Sequence, residues 1–235
     1  TNALKTCATW STVVLEAGEY DLSCLTNAPM GENTSYQGRS LLSLTTGVTL
    51  KGNTGKPEDV VLKGCGKFRI LQHANGCTIK DLTMTGGRAE EGSFPAGGAV
   101  FATGSAISIT NCRFLFNFAA VGGGAVYSDN CVNCLFYGNQ SGPSWNKGGG
   151  AGYLGTYDNC QFFCNTNLYE WAEGGALGYA TKVSGCTVVS NFSGYCGGGL
   201  CNCKNVSDCT ISYNAAVGTH NARGGGAYGC GVVTN

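Results

Sequence analysis

The chain has 235 residues with 14 basic and 14 acidic side chains; only 12% are charged, against 43% hydrophobic. Zero net charge without a basic stripe argues against a nucleic-acid partner, and no run of about 18 apolar residues is present for a membrane span. The 39 glycines accompany phased aromatic and aliphatic residues, so they serve packing rather than disorder.

In chain order, STVVLEAGEYDL (Ser11 to Leu22) reads as a short strand and turn. Residues 1–40 are expected to supply first strands and an N-terminal cap over an otherwise open edge. The opening TNALKTC carries no signal peptide, as in a processed product. Val48 and Leu50, then Val60 and Leu62, alternate as strands do, with Gly52, Asn53, Gly55 and Pro57 marking the turn between. Cys77, opening CTIKDLTMTGG, is expected to enter the cysteine column of the coils that follow, with Leu82 in the place five positions on that asparagine holds in later units, and the polar stretch Arg88 to Pro95 reads as a loop.

From there a repeat takes over. Cys112, Cys134, Cys160, Cys186 and Cys209 are each followed five positions later by Asn117, Asn139, Asn165, Asn191 and Asn214. Glycine clusters at 97–98, 122–124, 148–150, 174–175, 197–199 and 224–226 open the units. The distance from the last glycine to the cysteine is ten in three units, while the stretch from asparagine to the next cluster varies from five to ten. A fixed segment alternating with an elastic one is the pattern of a solenoid, whose strands stay in register while loops vary. Residues 41–235 therefore read as coils of one elongated body, all-β in class.

Parity sets the faces. Cys112, Phe114 and Phe116 share one side of a strand, as do Cys134 with Phe136, Cys160 with Phe162, Cys186 with Val188 and Cys209 with Ile211. That side is expected inside; Arg113, Gln161, Thr187 and Thr210 face water. The asparagines fall where the strand ends and are expected to take the left-handed corner conformation while their amides bond along the column. The glycines mark a second corner of positive φ or close approach. Zinc spacing is poor: Cys131/Cys134 and Cys201/Cys203 lie far from His73 and His220. No metal or cofactor is expected. The fifteen cysteines can be buried thiols or, outside the cell, cross-links. Cys203 and Cys230 each follow a cluster's last glycine by four residues and form one candidate disulfide; Cys7 and Cys24 form another.

The pairs GGAV (Gly97 to Val100) with FLFN (Phe114 to Asn117), GGAV (Gly123 to Val126) with FYGN (Phe136 to Asn139), and GGAL (Gly174 to Leu177) with FFCN (Phe162 to Asn165) resemble the GGA[ILV] and FxxN repeats of the polymorphic outer-membrane proteins. STVVLEAGEYDL (Ser11 to Leu22) and LLSLTTGVTLKGNTGKPEDVVLKGCG (Leu41 to Gly66) resemble the opening coils of pectin-lyase-like proteins. The resemblance implies a right-handed parallel β-helix displayed at the cell surface, commonly for adhesion. Non-enzymatic structural or adhesive work outside the cell is the expectation, with cell-surface glycan or protein, or further copies of the chain, as partners. The alternative is a polysaccharide-active enzyme, for which Asp81, Arg88, Glu90, Glu91, Glu170 and Glu173 are the available charges. Trp145, Tyr169, Trp171 and Tyr195 are aromatic loop residues suited to contact. Of the sequons at Asn33, Asn139, Asn191 and Asn205, Asn33 and Asn205 are the candidate glycan sites, since the other two belong to the asparagine column. The last segment, AYGCGVVTN, offers no closing element, so either the polypeptide continues beyond Asn235 or another copy's N-terminal segment covers the edge; of the two, end-to-end association into filaments is the expectation.

Overall fold

The structure, a computed structural model, describes residues 7–25, 31–34, 38–142, 148–218 and 222–234, with 31–34 as backbone only. The chain winds into a parallel β-solenoid of about seven turns with almost no helix. A full turn adds one strand to each of four sheets, for instance Ser108–Thr110, Arg113–Leu115, Phe118–Ala119 and Val126–Tyr127. These belong in that order to the first, second, third and fourth sheets, of nine, eight, six and nine strands. Thr12–Leu15 and Gly18–Asp21 already pair in parallel with Thr49–Gly52 and Val60–Lys63, so the N-terminal segment builds coils of its own. Gly31–Thr34 runs antiparallel to Gly38–Leu44 at the edge of the fourth sheet. No helix among the described residues is long and apolar enough to cross a membrane.

The strands are short because the chain turns at left-handed residues. One column of positive φ precedes the cysteines: Asn111, Asn133, Asn159, Gly185 and Asp208. A second precedes the asparagines: Phe116, Gly138, Cys164, Ser190 and Tyr213. This corrects the expectation that the column asparagines take the corner conformation, which falls one residue earlier. Small polar residues and glycine tolerate that geometry, whereas Phe116 and Tyr213 accept it at a cost of about 1 kcal/mol each. A second correction concerns Cys77. Arg113 donates its N–H to the Leu82 carbonyl at 3.1 Å just as Leu135 donates to Cys112, so Leu82, not Cys77, occupies the cysteine column. Gly87 N–H bonds to Asn117 Oδ1 at 2.9 Å and so holds the asparagine place.

The interior is a set of columns. Met84, Phe114, Phe136, Phe162, Val188 and Ile211 align on the second sheet. Neighbouring phenylalanine rings stack at 4.9 and 4.7 Å. On the first sheet the corresponding column carries Ile79, Ile109, Cys131, Tyr157, Val183 and Val206. Tyr157 is too long for that place alone. Gly152 on the fourth sheet makes room for it, since a Cβ there would lie 2.2 Å from the tyrosine oxygen. The buried Tyr157 hydroxyl finds no hydrogen-bond partner. Tyr157→Phe is therefore expected to raise stability by about 1 kcal/mol, because it removes an unsatisfied group and keeps the ring; a lowered urea midpoint would contradict this. His73 and Asp129, both fully buried, pair at 3.0 Å, and Asp129 also accepts the Ile107 N–H at 3.0 Å, tying adjacent turns together.

Candidate functional site

The cysteine residues Cys112, Cys134, Cys160 and Cys186 are buried and Cys209 is half-buried. The N–H after each of the last four donates to the carbonyl of the preceding column cysteine at 2.9 Å, so the five stack turn on turn. Each thiol donates to the carbonyl two residues before it, at 3.1 to 3.3 Å. Contact with the Cys160 thiol, reinforced by burial, pushes Cys186 up to about 12. These are inert thiols at neutral pH.

No disulfide is formed among the described residues, so neither candidate pair is cross-linked. Cys24 is exposed and directs its thiol to the Asp21 carbonyl at 3.9 Å, and Cys7 is half-buried. Cys203 and Cys230 do stack, with Gly231 N–H on the Cys203 carbonyl at 2.9 Å, but each thiol turns to the carbonyl two residues before it, at 3.7 Å. The proximity of the Cys203 thiol brings Cys230 down to about 7. Alkylation of Cys230 by iodoacetamide is therefore expected to accelerate between about pH 6 and 8 and then level off, because the thiolate is the nucleophile. Peptide mapping of the labelled protein checks this; a rate still climbing above pH 9 would contradict it.

The asparagine column is a closed hydrogen-bond network. Asn117 Nδ2 donates to Asn139 Oδ1 at 3.1 Å, Asn139 to Asn165 at 3.0 Å, Asn165 to Asn191 at 2.9 Å and Asn191 to Asn214 at 2.9 Å. The backbone N–H of each of those four donors bonds to the same Oδ1. The second amide hydrogen goes to a carbonyl of the preceding turn. Asn139 and Asn191 are buried, which keeps their sequons from any transferase. Asn205 is exposed, with Nδ2 on the Thr181 carbonyl at 3.2 Å, whereas the side chain of Asn33 lies outside the described residues.

Of the charges considered for chemistry, the solenoid gathers Arg88, Glu90 and Glu91 at one shallow, open cleft, together with Arg39, Lys67 and Arg69. The added cations come from turns formed by earlier sequence, which no local motif reveals. Arg39 and Arg69 sit on neighbouring fourth-sheet strands, where Ser40 is the partner of Arg69. Arg88 opens the third sheet and stacks on Phe118 at 4.3 Å. Arg39 and Lys67 each lie 5.2 Å from the Phe68 ring. Arg69 is fully buried; its guanidinium donates to the Ala96 and Gly97 carbonyls and to Ser40 Oγ and covers Phe101 at 4.4 Å. Burial brings Arg69 down to about 9.

Both carboxylates are engaged, Glu91 by Arg39 at 3.1 Å and Glu90 by Arg88 at 2.7 Å. The Arg88 hydrogen bond lowers the Glu90 carboxyl, the opposite of what a general acid in glycoside cleavage requires. The cleft is also too shallow to enclose a ligand, whereas usual ligand pockets hold roughly 300 Å³ or more. At the surface, three cations, Arg39, Lys67 and Arg88, stand beside two carboxylates. Asp81 stands apart at a left-handed corner, held by Asn111 Nδ2 at 2.8 Å. Glu173 is buried on the fourth-sheet side, accepting from Tyr179 Oη and, at 2.7 Å, from Asn202. Trp145 and His220 lie outside the described residues. Trp171 and Tyr195 pair at 5.3 Å. Phe116, expected inside with Cys112 and Phe114, is instead 62% exposed, because the left-handed corner at this residue breaks the strand alternation and turns its ring outward; Tyr137 lies beside it at 5.5 Å, and Tyr213 is 88% exposed. Comparison with family models, curated proteins and solved structures finds no match.

Proposed function

We propose that the chain is a non-enzymatic structural or adhesive β-solenoid displayed outside the cell, of the right-handed passenger type seen in the polymorphic outer-membrane proteins. The observation that supports this most is the state of the charged cleft: Glu90 and Glu91 are both neutralised by guanidinium groups. Exposed rings at Phe116, Tyr137, Trp171 and Tyr213 add contact surface of the kind that binds protein or sugar. Cell-surface glycan or protein is the partner class. The second reading, a polysaccharide-active enzyme, is favoured by the convergence of Arg39, Lys67, Arg88, Glu90 and Glu91 on one opening. Incubating the protein with a panel of neutral and acidic polysaccharides separates the two. Retention on a glycan without new reducing ends or unsaturated products is expected. Products formed by the protein and lost in Glu90→Gln or Glu91→Gln would establish the enzyme.

A further inference from the structure

We infer that Cys196 and Cys201 form an oxidisable dithiol, which closes into a disulfide across the Gly197–Gly199 corner as this turn folds. The two sulfurs face each other at 2.9 Å, five residues apart in sequence. Both side chains are buried. The column thiols instead donate to backbone carbonyls, as Cys134 does to Val132 at 3.3 Å.

The corner itself brings side chains together in successive turns. Cys196 bridges in parallel to Glu173 on one side and to Arg223 on the other. Cys201 is in register with Gly178 and with Tyr228. In the following turn Arg223 Nη1 donates to Tyr228 Oη at 2.9 Å, and in the preceding one Tyr179, next to Gly178, donates to Glu173. This corner thus carries a polar side-chain contact in each of the two flanking turns and two thiols in the one between. Gly197 permits the close approach, because a Cβ there would lie 2.1 Å from the Leu200 carbonyl and 2.8 Å from Cys201 Cβ.

Chemistry at this pair belongs to folding rather than to the finished solenoid. The Cys196 contact, burial and the Glu173 carboxylate all raise the Cys201 thiol in the folded chain, so its thiolate is scarce there. Before the corner closes, the Cys196 thiolate attacks one sulfur of a low-molecular-weight disulfide such as oxidised glutathione. One glutathione thiolate leaves, and Cys196 carries the other as a mixed disulfide. The Cys201 thiolate then attacks the Cys196 sulfur, forms the protein disulfide and releases the second glutathione. Two protein thiols lose two electrons and two protons, and one glutathione disulfide becomes two thiols. The bond then ties the Glu173–Cys196–Arg223 column to the fourth sheet. This site does not depend on the proposed surface role.

The test uses the full chain, refolded either in a mixture of oxidised and reduced glutathione or in reductant, then alkylated in denaturant and cut with trypsin. The peptide Val183–Lys204 holds Cys186, Cys196, Cys201 and Cys203. After oxidative refolding it is expected two hydrogens lighter, with alkyl groups only on Cys186 and Cys203. Protein first folded in reductant and then given the same mixture is expected to form the bond at least about tenfold more slowly, as burial withholds the thiolate. Four alkylated cysteines after oxidative refolding, or a bond to Cys203 instead, would overturn the inference.

Discussion

Replacing Asn165 with alanine is expected to destabilise the solenoid by roughly 4 kcal/mol. Its Nδ2 donates to Asn191 Oδ1 at 2.9 Å and to the Phe136 carbonyl at 3.0 Å, while its Oδ1 accepts both the side-chain and backbone N–H of Asn139 at 3.0 Å. Truncation removes four interior hydrogen bonds: the Asn139 backbone N–H loses its only bond, while Asn191 Oδ1 keeps the Asn165 N–H and Asn139 Nδ2 keeps the Phe114 carbonyl; each stranded group costs about 1–3 kcal/mol, with relaxation and entering water offsetting part of the sum. Asn165→Asp is no rescue, since it supplies oxygens where Asn191 and Phe136 need donors and adds a buried charge. Asn214→Ala is the control. That residue is only half-buried, so water can take up its bonds and a cost of about 1 kcal/mol is expected. Urea titrations followed by circular dichroism compare the two, and equal costs would show that the column is decorative.

Gly150→Ala is expected to cost at least about 3 kcal/mol, for a steric reason. A Cβ there would lie 2.2 Å from the Gly175 carbonyl oxygen and 2.6 Å from the Thr166 carbonyl. These are backbone atoms of the next turn, so no side-chain rotation relieves the collision and the turns must separate. Gly175 meets the Gly198 oxygen at 2.0 Å in the same manner, which explains why the glycines recur as a stacked column. Gly55 gives the contrast: its φ is 73° but nothing lies within 4 Å of an added Cβ. Gly55→Ala is expected to lose only about 1 kcal/mol, the price of a left-handed alanine. If both variants unfold at the same urea concentration, close approach is not what the glycine column provides.

Much of this was legible in the sequence, because the repeat forces equivalent residues into register. The alternation at Cys112, Phe114 and Phe116 found the interior position of Phe114, and the recurring asparagines marked a corner. It mistook Phe116, which is the left-handed residue there and points outward. Cys77 misled because its spacing to Leu82 imitates the Cys–Asn interval, while backbone pairing puts Leu82 in the cysteine column. Equivalent positions for Cys203 and Cys230 were read correctly, but equivalence gives stacking, and the thiols point to carbonyls instead of bonding. The charged cleft was only half visible. Arg88, Glu90 and Glu91 are neighbours in sequence, whereas Arg39 reaches Glu91 across 52 residues through the winding of the coils. Pairs such as Tyr157 with Gly152, or His73 with Asp129, depend on variable turn lengths that no fixed period encodes.

Site-resolved hydrogen exchange on the reduced protein is the most direct test of the claim that side-chain columns, rather than cross-links, hold the turns together. The backbone N–H groups of Asn139, Asn165 and Asn191 bond to side-chain Oδ1 atoms at 3.0, 2.9 and 2.8 Å and to no backbone partner. They are expected to exchange as slowly as strand amides such as Gln161 and Thr187, whose N–H groups bond to Cys134 and Cys160 carbonyls at 2.9 Å. Rapid exchange at the three asparagines beside protected strands, or loss of all protection on adding reductant, would contradict it.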